Sequence, residues 1–204
     1  IDVNFWGAVY GVEAFAPKML AQGSAGIIVN TGSKQGITTP PGNPAYNVSK
    51  AGVKAQTEAL QHELRNMPGC KITAHLMIPG HVFTPLTARG RSEKPPGAWT
   101  AEQTIDFMIA RIEAGDFYIL CPDNDVPRPL DERRMLWAAG DIVENRPALS
   151  RWHPDYAEAF AIQSVPQIAF ASEHISVCVG DVGAQLERRL EALGGGVAAE
   201  RVEA

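Results

Sequence analysis

The chain has 204 residues, 45% of them hydrophobic and 20% charged, which is enough apolar material for an ordinary domain core and unlike a disordered composition. Its formal net charge of -5 leaves no basic stripe of the kind that nucleic-acid binding uses, so no nucleic-acid partner is expected. No apolar run reaches bilayer-spanning length, so no membrane association is expected either.

In chain order, residues about 3 to 21 place Phe5, Trp6, Val9, Tyr10, Val12, Phe15, Met19 and Leu20 at helical spacing. Pro17 is expected to bend or locally break that helix. Gly26-Ile27-Ile28-Val29-Asn30 is β-branched and entered from glycine, and reads as a buried strand ending near Thr31. Gly36, Pro40, Pro41, Gly42 and Pro44 then mark a loop, and Ala45 to Leu64 has a helical composition. Ile72 to Ile78 reads as a second strand, closed by Pro79-Gly80.

Pro85 to Trp99 is polar and rich in breakers, a long loop or lid. Thr100 with Gln103 forms a capping box for a helix running towards Ala114, where Gly115 stops it. Phe117 to Cys121 reads as the last strand of the sheet, Asp123, Asn124 and Asp125 as turn residues, and Asp131 to Arg134 as the opening of another amphipathic helix. Beyond about residue 162 the pattern loses a clean period, apart from a short amphipathic stretch through Val182, Leu186, Leu190 and Leu193 before Gly194-Gly195-Gly196.

Cys70, Cys121 and Cys178 are odd in number and lack Cys-x-x-Cys spacing, so free thiols in a reducing cytoplasm are the simplest account. His62, His75, His81, His153 and His174 form no ligand-spaced pair, and no metal is expected.

The chemistry concentrates at Ser33, Tyr46 and Lys50. Tyr46 and Lys50 stand four apart and project from one helix face, while the loop returns Ser33 towards the same point. A phenol with an ordinary pKa of about 10 needs about 4 kcal/mol of differential stabilisation to titrate near neutrality. A neighbouring ammonium supplies part of it, and a serine hydroxyl can hold a substrate oxygen beside the phenol.

Ser33 thirteen residues before Tyr46-x-x-x-Lys50 resembles the catalytic core of the short-chain dehydrogenase/reductase family. Two further segments resemble the same family. Ile1 to Gly7 carries Asn4 where the family has a catalytic-site asparagine that supports a water-linked proton path, and Pro79-Gly80-His81-Val82-Phe83-Thr84 is similar to its nicotinamide-binding segment. The resemblance implies Tyr46 as general acid/base, Lys50 as its electrostatic partner and ribose ligand, and Ser33 as substrate-oxygen stabiliser. It also implies cofactor contacts from Thr31, Pro79, Gly80, Val82 and Thr84, and either NAD or NADP as the cofactor.

The implied fold is α/β, a partial Rossmann-type doubly wound parallel sheet over residues 1–161, the C-terminal half of such a domain, with residues 162–204 an unmatched tail. The glycine-rich turn that opens the family's domain has no counterpart here, and Gly194 to Gly196 cannot replace it. Residues 1–204 alone are therefore expected not to bind cofactor firmly, and a non-catalytic interaction module remains the alternative reading. The resemblance implies a carbonyl or secondary-alcohol substrate; Trp99, Phe107 and Met108 point to a hydrophobic one. It further implies a homodimer or homotetramer built on the first helix and the Ala45–Leu64 helix.

Overall fold

The computed structural model describes residues 1–163. Contacts group Ile1–Phe160 into one compact unit. The expectations about residues 164–204, including His174, Cys178, the Val182–Leu193 stretch and the triglycine, lie outside the described residues.

A π-type turn at Asp2–Trp6 leads into α1 (Gly7–Gln22), followed by β1 (Gly26–Thr31), a single helical turn α2 (Gln35–Thr38) and the long helix α3 (Pro44–Asn66). β2 (Ile72–Ile78), β3 (Val82–Phe83), α4 (Pro85–Ala88), β4 (Trp99–Thr100), α5 (Ala101–Glu113), β5 (Tyr118–Leu120), α6 (Arg128–Val143) and α7 (Ala157–Ile162) follow. β1, β2 and β5 form a parallel sheet in that order, with Gly26 opposite Ile72 and Leu76 opposite Tyr118.

The two faces of β2 pack against different helices. Ile72, Ala74, Leu76 and Ile78 point to the face where α3 contributes Val53, Leu60 and Leu64 and α1 contributes Val12, Met19 and Leu20. Met77 points the other way, with Ile119 and Cys121, beneath Phe107, Met108 and Ile112 of α5. That is the period of two expected of a strand buried between two helical layers. The fold is thus mixed α/β with a parallel sheet.

Several local expectations are corrected. α1 runs unbroken through Pro17; the proline is exposed, so water can meet the carbonyl that it leaves without a donor. Pro85 to Trp99 is not all loop, because Thr84 caps α4 with Pro85 in the first turn, and Val82–Phe83 pairs with Trp99–Thr100. α6 begins at Arg128, ahead of Asp131, since Pro129 fits a first turn whose N–H groups have no partner within the helix. The Thr100–Gln103 capping box is present as read, with Gln103 N–H 3.2 Å from the Thr100 hydroxyl and Thr100 N–H 2.9 Å from Gln103 Oε1.

One contact sets the path between β1 and α3. A Cβ placed on Gly36 would lie 2.6 Å from the Lys50 carbonyl carbon and 2.8 Å from the Ala51 nitrogen, so α2 lies directly on the backbone of α3. Since those atoms are backbone, they cannot swing aside. Gly36→Ala is therefore expected to destabilise the chain by about 1–3 kcal/mol in urea unfolding, as overpacking does. Gly11→Ala in α1, where a Cβ meets nothing within 4 Å, is expected instead to add about 0.5–1 kcal/mol from helix propensity. Equal effects from the two alanines would show that α2 does not press on α3.

Candidate active site

Tyr46 owes its place to the start of α3. Asn43 is the N-cap, with its side chain accepting the Tyr46 N–H at 3.2 Å, and Pro44 occupies the first helical position, where its missing N–H costs nothing. Tyr46 thus stands at the third helical position and Lys50 one turn on. The Lys50 ammonium lies 5.9 Å from the centre of the Tyr46 ring. The loop is fastened to the same helix by Asn47, which donates to the Pro40 carbonyl at 2.7 Å.

Lys50 also gathers the β1 side. Its Nζ donates to the carbonyl of Thr31, the last residue of β1, at 2.8 Å, while its backbone carries the Gly36 contact. Ser33 lies between Thr31 and Gly36 in sequence, so both flanks of the serine touch one lysine. Gly32 N–H holds the strand end to its neighbour by donating to the Met77 carbonyl at 2.7 Å. The Ser33 hydroxyl itself accepts the Gln35 N–H at 3.2 Å, which opens the turn of α2 and leaves the hydroxyl proton available. Burial lowers the pKa of Lys50 below its ordinary value.

The Pro79–Thr84 segment leaves the carboxyl end of β2, the strand beside β1. Asp123, past the end of β5, accepts the His81 N–H at 2.9 Å, and a Cβ on Gly80 would lie 2.5 Å from that carboxylate oxygen. Glycine is required there by the close approach. Val82 pairs with Trp99, and the Thr84 hydroxyl accepts the Thr87 N–H at 3.3 Å as the cap of α4. His81 itself is exposed.

Asn4 is exposed on the π-type turn, whose Phe5 ring packs where a Cβ on Gly52 of α3 would stand 2.8 Å away. The turn is brought against α3 just beyond Lys50, but among the described residues no hydrogen bond ties the Asn4 side chain to Ser33, Tyr46 or Lys50. Thr31, Tyr46 and Lys50 are brought together, with Ser33 two residues past Thr31 in the chain; Pro79, Gly80, Val82 and Thr84 follow the neighbouring strand end. Trp99, Phe107 and Met108 also serve the core. They pack on Met77, Ile119 and Cys121, with the Trp99 indole N–H donating to Asn124 at 3.0 Å, so their apolar character reflects the core.

The sequence reading missed Lys34 and Asp131. The Lys34 ammonium, next to Ser33, forms an ion pair with Asp131 of α6 and lies 3.8 Å from Asp123. Burial pushes the Asp131 carboxyl above its usual range, against the pull of Lys34 and then of Arg134. Burial also pushes the nearby Cys121 thiol up to about 11, with Lys34 acting in the opposite sense. The adjacency of a lysine to the key serine was the one signal available. Asp123 was read as a turn residue, and it is one, accepting the N–H groups of Asp125 at 3.1 Å and Val126 at 2.7 Å. Among the described residues no group of three or more His, Cys, Asp or Glu side chains is arranged to hold a metal ion.

A parallel sheet whose central strand packs against a helix on each face is a Rossmann-type α/β arrangement. Residues 1–95 match the model of the short chain dehydrogenase family. The chain is 27% identical over 140 residues to a 1-deoxy-11-beta-hydroxypentalenate dehydrogenase of Streptomyces avermitilis, covering 67% of this chain and 50% of that one. It is 39% identical over 87 residues to an uncharacterized oxidoreductase of Staphylococcus saprophyticus, covering 43% and 36%. A short-chain dehydrogenase/reductase from Burkholderia phymatum, solved in complex with NAD, superposes with a TM-score of 0.58 at 29% identity over 71% of this chain and 57% of that one. The chain is therefore similar to the short-chain dehydrogenase/reductase family, with the family match over residues 1–95, just under half of its length. It spans about half or less of the length of these curated relatives.

Proposed function

We propose that the protein is an NAD(P)-dependent oxidoreductase that interconverts a carbonyl and a secondary alcohol, with Tyr46 as the proton donor and acceptor. The observation that carries this reading is the double hold of Lys50, by Nζ on the Thr31 carbonyl and by backbone on Gly36, which ties both flanks of Ser33 to the turn after Tyr46. The donors present fit a nicotinamide nucleotide. Lys50 spends one N–H on Thr31 and keeps two for ribose hydroxyls, and the Pro79–Thr84 backbone is held at the adjacent strand end, where dinucleotides bind in such sheets. The bound cofactor supplies the hydride.

In the reducing direction, the Ser33 hydroxyl donates to the substrate carbonyl oxygen and holds it beside the Tyr46 phenol. Tyr46 gives that oxygen its proton as hydride reaches the carbonyl carbon, so carbonyl, hydride and proton become the alcohol. The Lys50 ammonium steadies the negative charge left on the phenol oxygen. Asn4, on its turn against α3, is proposed to support the water that returns a proton to Tyr46. Thr31 positions Lys50, while Val82 and the Thr84 hydroxyl face the nicotinamide end. The substrate proposed is hydrophobic. A cavity of about 530 Å³ between α2 and α6, lined by Ile37, Met135, Trp137, Ala138, Leu149 and Trp152 among others, supports this.

Tyr46→Phe keeps the ring and removes the transferable proton. In the gene's full product its turnover of a carbonyl with NADH or NADPH is expected to fall by about 100-fold or more, with cofactor affinity changed by less than about threefold. Turnover near that of the parent would remove Tyr46 from the mechanism.

We also propose a homodimer or homotetramer through α1 and α3, supported by exposed apolar side chains at Tyr10, Phe15 and Val48. Light scattering at micromolar concentration is expected to give at least twice the monomer mass, and a monomer would contradict the proposal.

A further inference from the structure

Three charged side chains sit where the ends of all three sheet strands meet. Lys34 follows Ser33 directly, Asp123 follows the end of β5, and Asp131 lies in the first turn of α6. Their side chains are 16%, 7% and 2% exposed. Lys34 pairs with Asp131 and stands 3.8 Å from an Asp123 oxygen that also accepts the His81 N–H at 2.9 Å. The other Asp123 oxygen is committed to Asp125 and Val126. One carboxylate therefore touches the β1, β2 and β5 loops together. Burying three charges is a weak source of stability, because desolvation offsets most of the attraction, and a packed apolar trio would serve the fold as well. What the charges provide is a fixed geometry between loops that no strand ladder joins.

We infer that Lys34, Asp123 and Asp131 form a positioning clasp that sets Ser33 against the Pro79–Thr84 segment. The inference rests on the oxidoreductase reading. In that reaction the substrate oxygen is held by Ser33 and Tyr46, and the hydride donor lies against the Pro79–Thr84 side. The α3 contacts fix Ser33 to Tyr46 and Lys50, but they do not reach the second group. The link from Lys34 through Asp123 to His81 does, and Asp131 holds the lysine in place from α6. Catalysis is steep in this distance, since a misplacement of about 1 Å can cost on the order of 100-fold.

The test uses the gene's full product, with kcat, KM, cofactor affinity and thermal midpoint measured for each variant. Removing Lys34 alone strands a buried carboxylate, so the informative variant is Lys34→Met with Asp131→Leu, which exchanges the pair for apolar groups of similar size. It is expected to keep its thermal midpoint and cofactor affinity while kcat falls by about 10- to 100-fold. Asp123→Ala, which cuts the His81 link and leaves the Lys34–Asp131 pair in place, is expected to lose about 10-fold in kcat with KM little changed. Lys34→Arg, which restores the cation, is expected to retain most of kcat. A folded double variant, or a folded Asp123→Ala variant, with kcat within twofold of the parent would overturn the clasp. Tyr46→Phe measured beside them separates the two claims: if it is inactive while the clasp variants are fully active, only the clasp fails. If Tyr46→Phe is fully active, the oxidoreductase reading fails and the clasp with it.

Discussion

The seating of Gly36 on the backbone of Lys50 and Ala51 is the constraint from which the geometry of the site follows. β1 ends at Thr31, and a chain leaving a strand end has many ways to reach the next helix. A hydrogen at position 36 lets α2 settle where a methyl group would collide with peptide atoms. Once it has settled, Ser33 is bounded on both sides by contacts to one residue, with Lys50 reaching back to the Thr31 carbonyl. The segment that carries the serine, the phenol one turn before the lysine, and the ammonium are then parts of a single local arrangement. No long-range adjustment is needed to assemble them.

The parallel sheet supplies what that local arrangement lacks. Strands running in one direction present all their carboxyl ends at one edge, so the loop with Ser33 and the segment from Pro79 to Thr84 emerge side by side. The apolar residues of β2 anchor α3 on one face, and Met77 meets α5 on the other. Asp123 then converts adjacency into a fixed spacing. It is a turn residue whose second oxygen reaches across to His81, and Gly80 is the one residue type that lets it approach so closely.

Much of this was legible in the sequence, and the parts that were share a cause. The strands, the α3 start, and the Thr100–Gln103 cap are specified by neighbours within four residues, so local chemistry suffices to read them. The approach of Lys50 to Tyr46 was legible because the two residues stand four apart on one helix face. The failures are tertiary. Pro17 sits on an exposed helix face where water can replace the missing donor, which no local rule reveals. That Trp99, Phe107 and Met108 cover the sheet on that face is a packing role no local spacing reveals. The partnership of Lys34 with Asp131 joins a loop to a helix nearly a hundred residues later, with no periodicity to announce it.

The central claim is that Tyr46 and Ser33 present a carbonyl to a nicotinamide hydride. The most direct measurement is isotopic: incubate the gene's full product with NADH and NADPH carrying deuterium at nicotinamide C4, together with a panel of hydrophobic ketones and aldehydes, and determine by mass spectrometry and NMR where the label goes. The account predicts deuterium on the carbinol carbon of the alcohol product, formed by the parent protein and lost with Tyr46→Phe. Failure of any carbonyl to acquire the label, or undiminished labelling by the Tyr46→Phe variant, would contradict it.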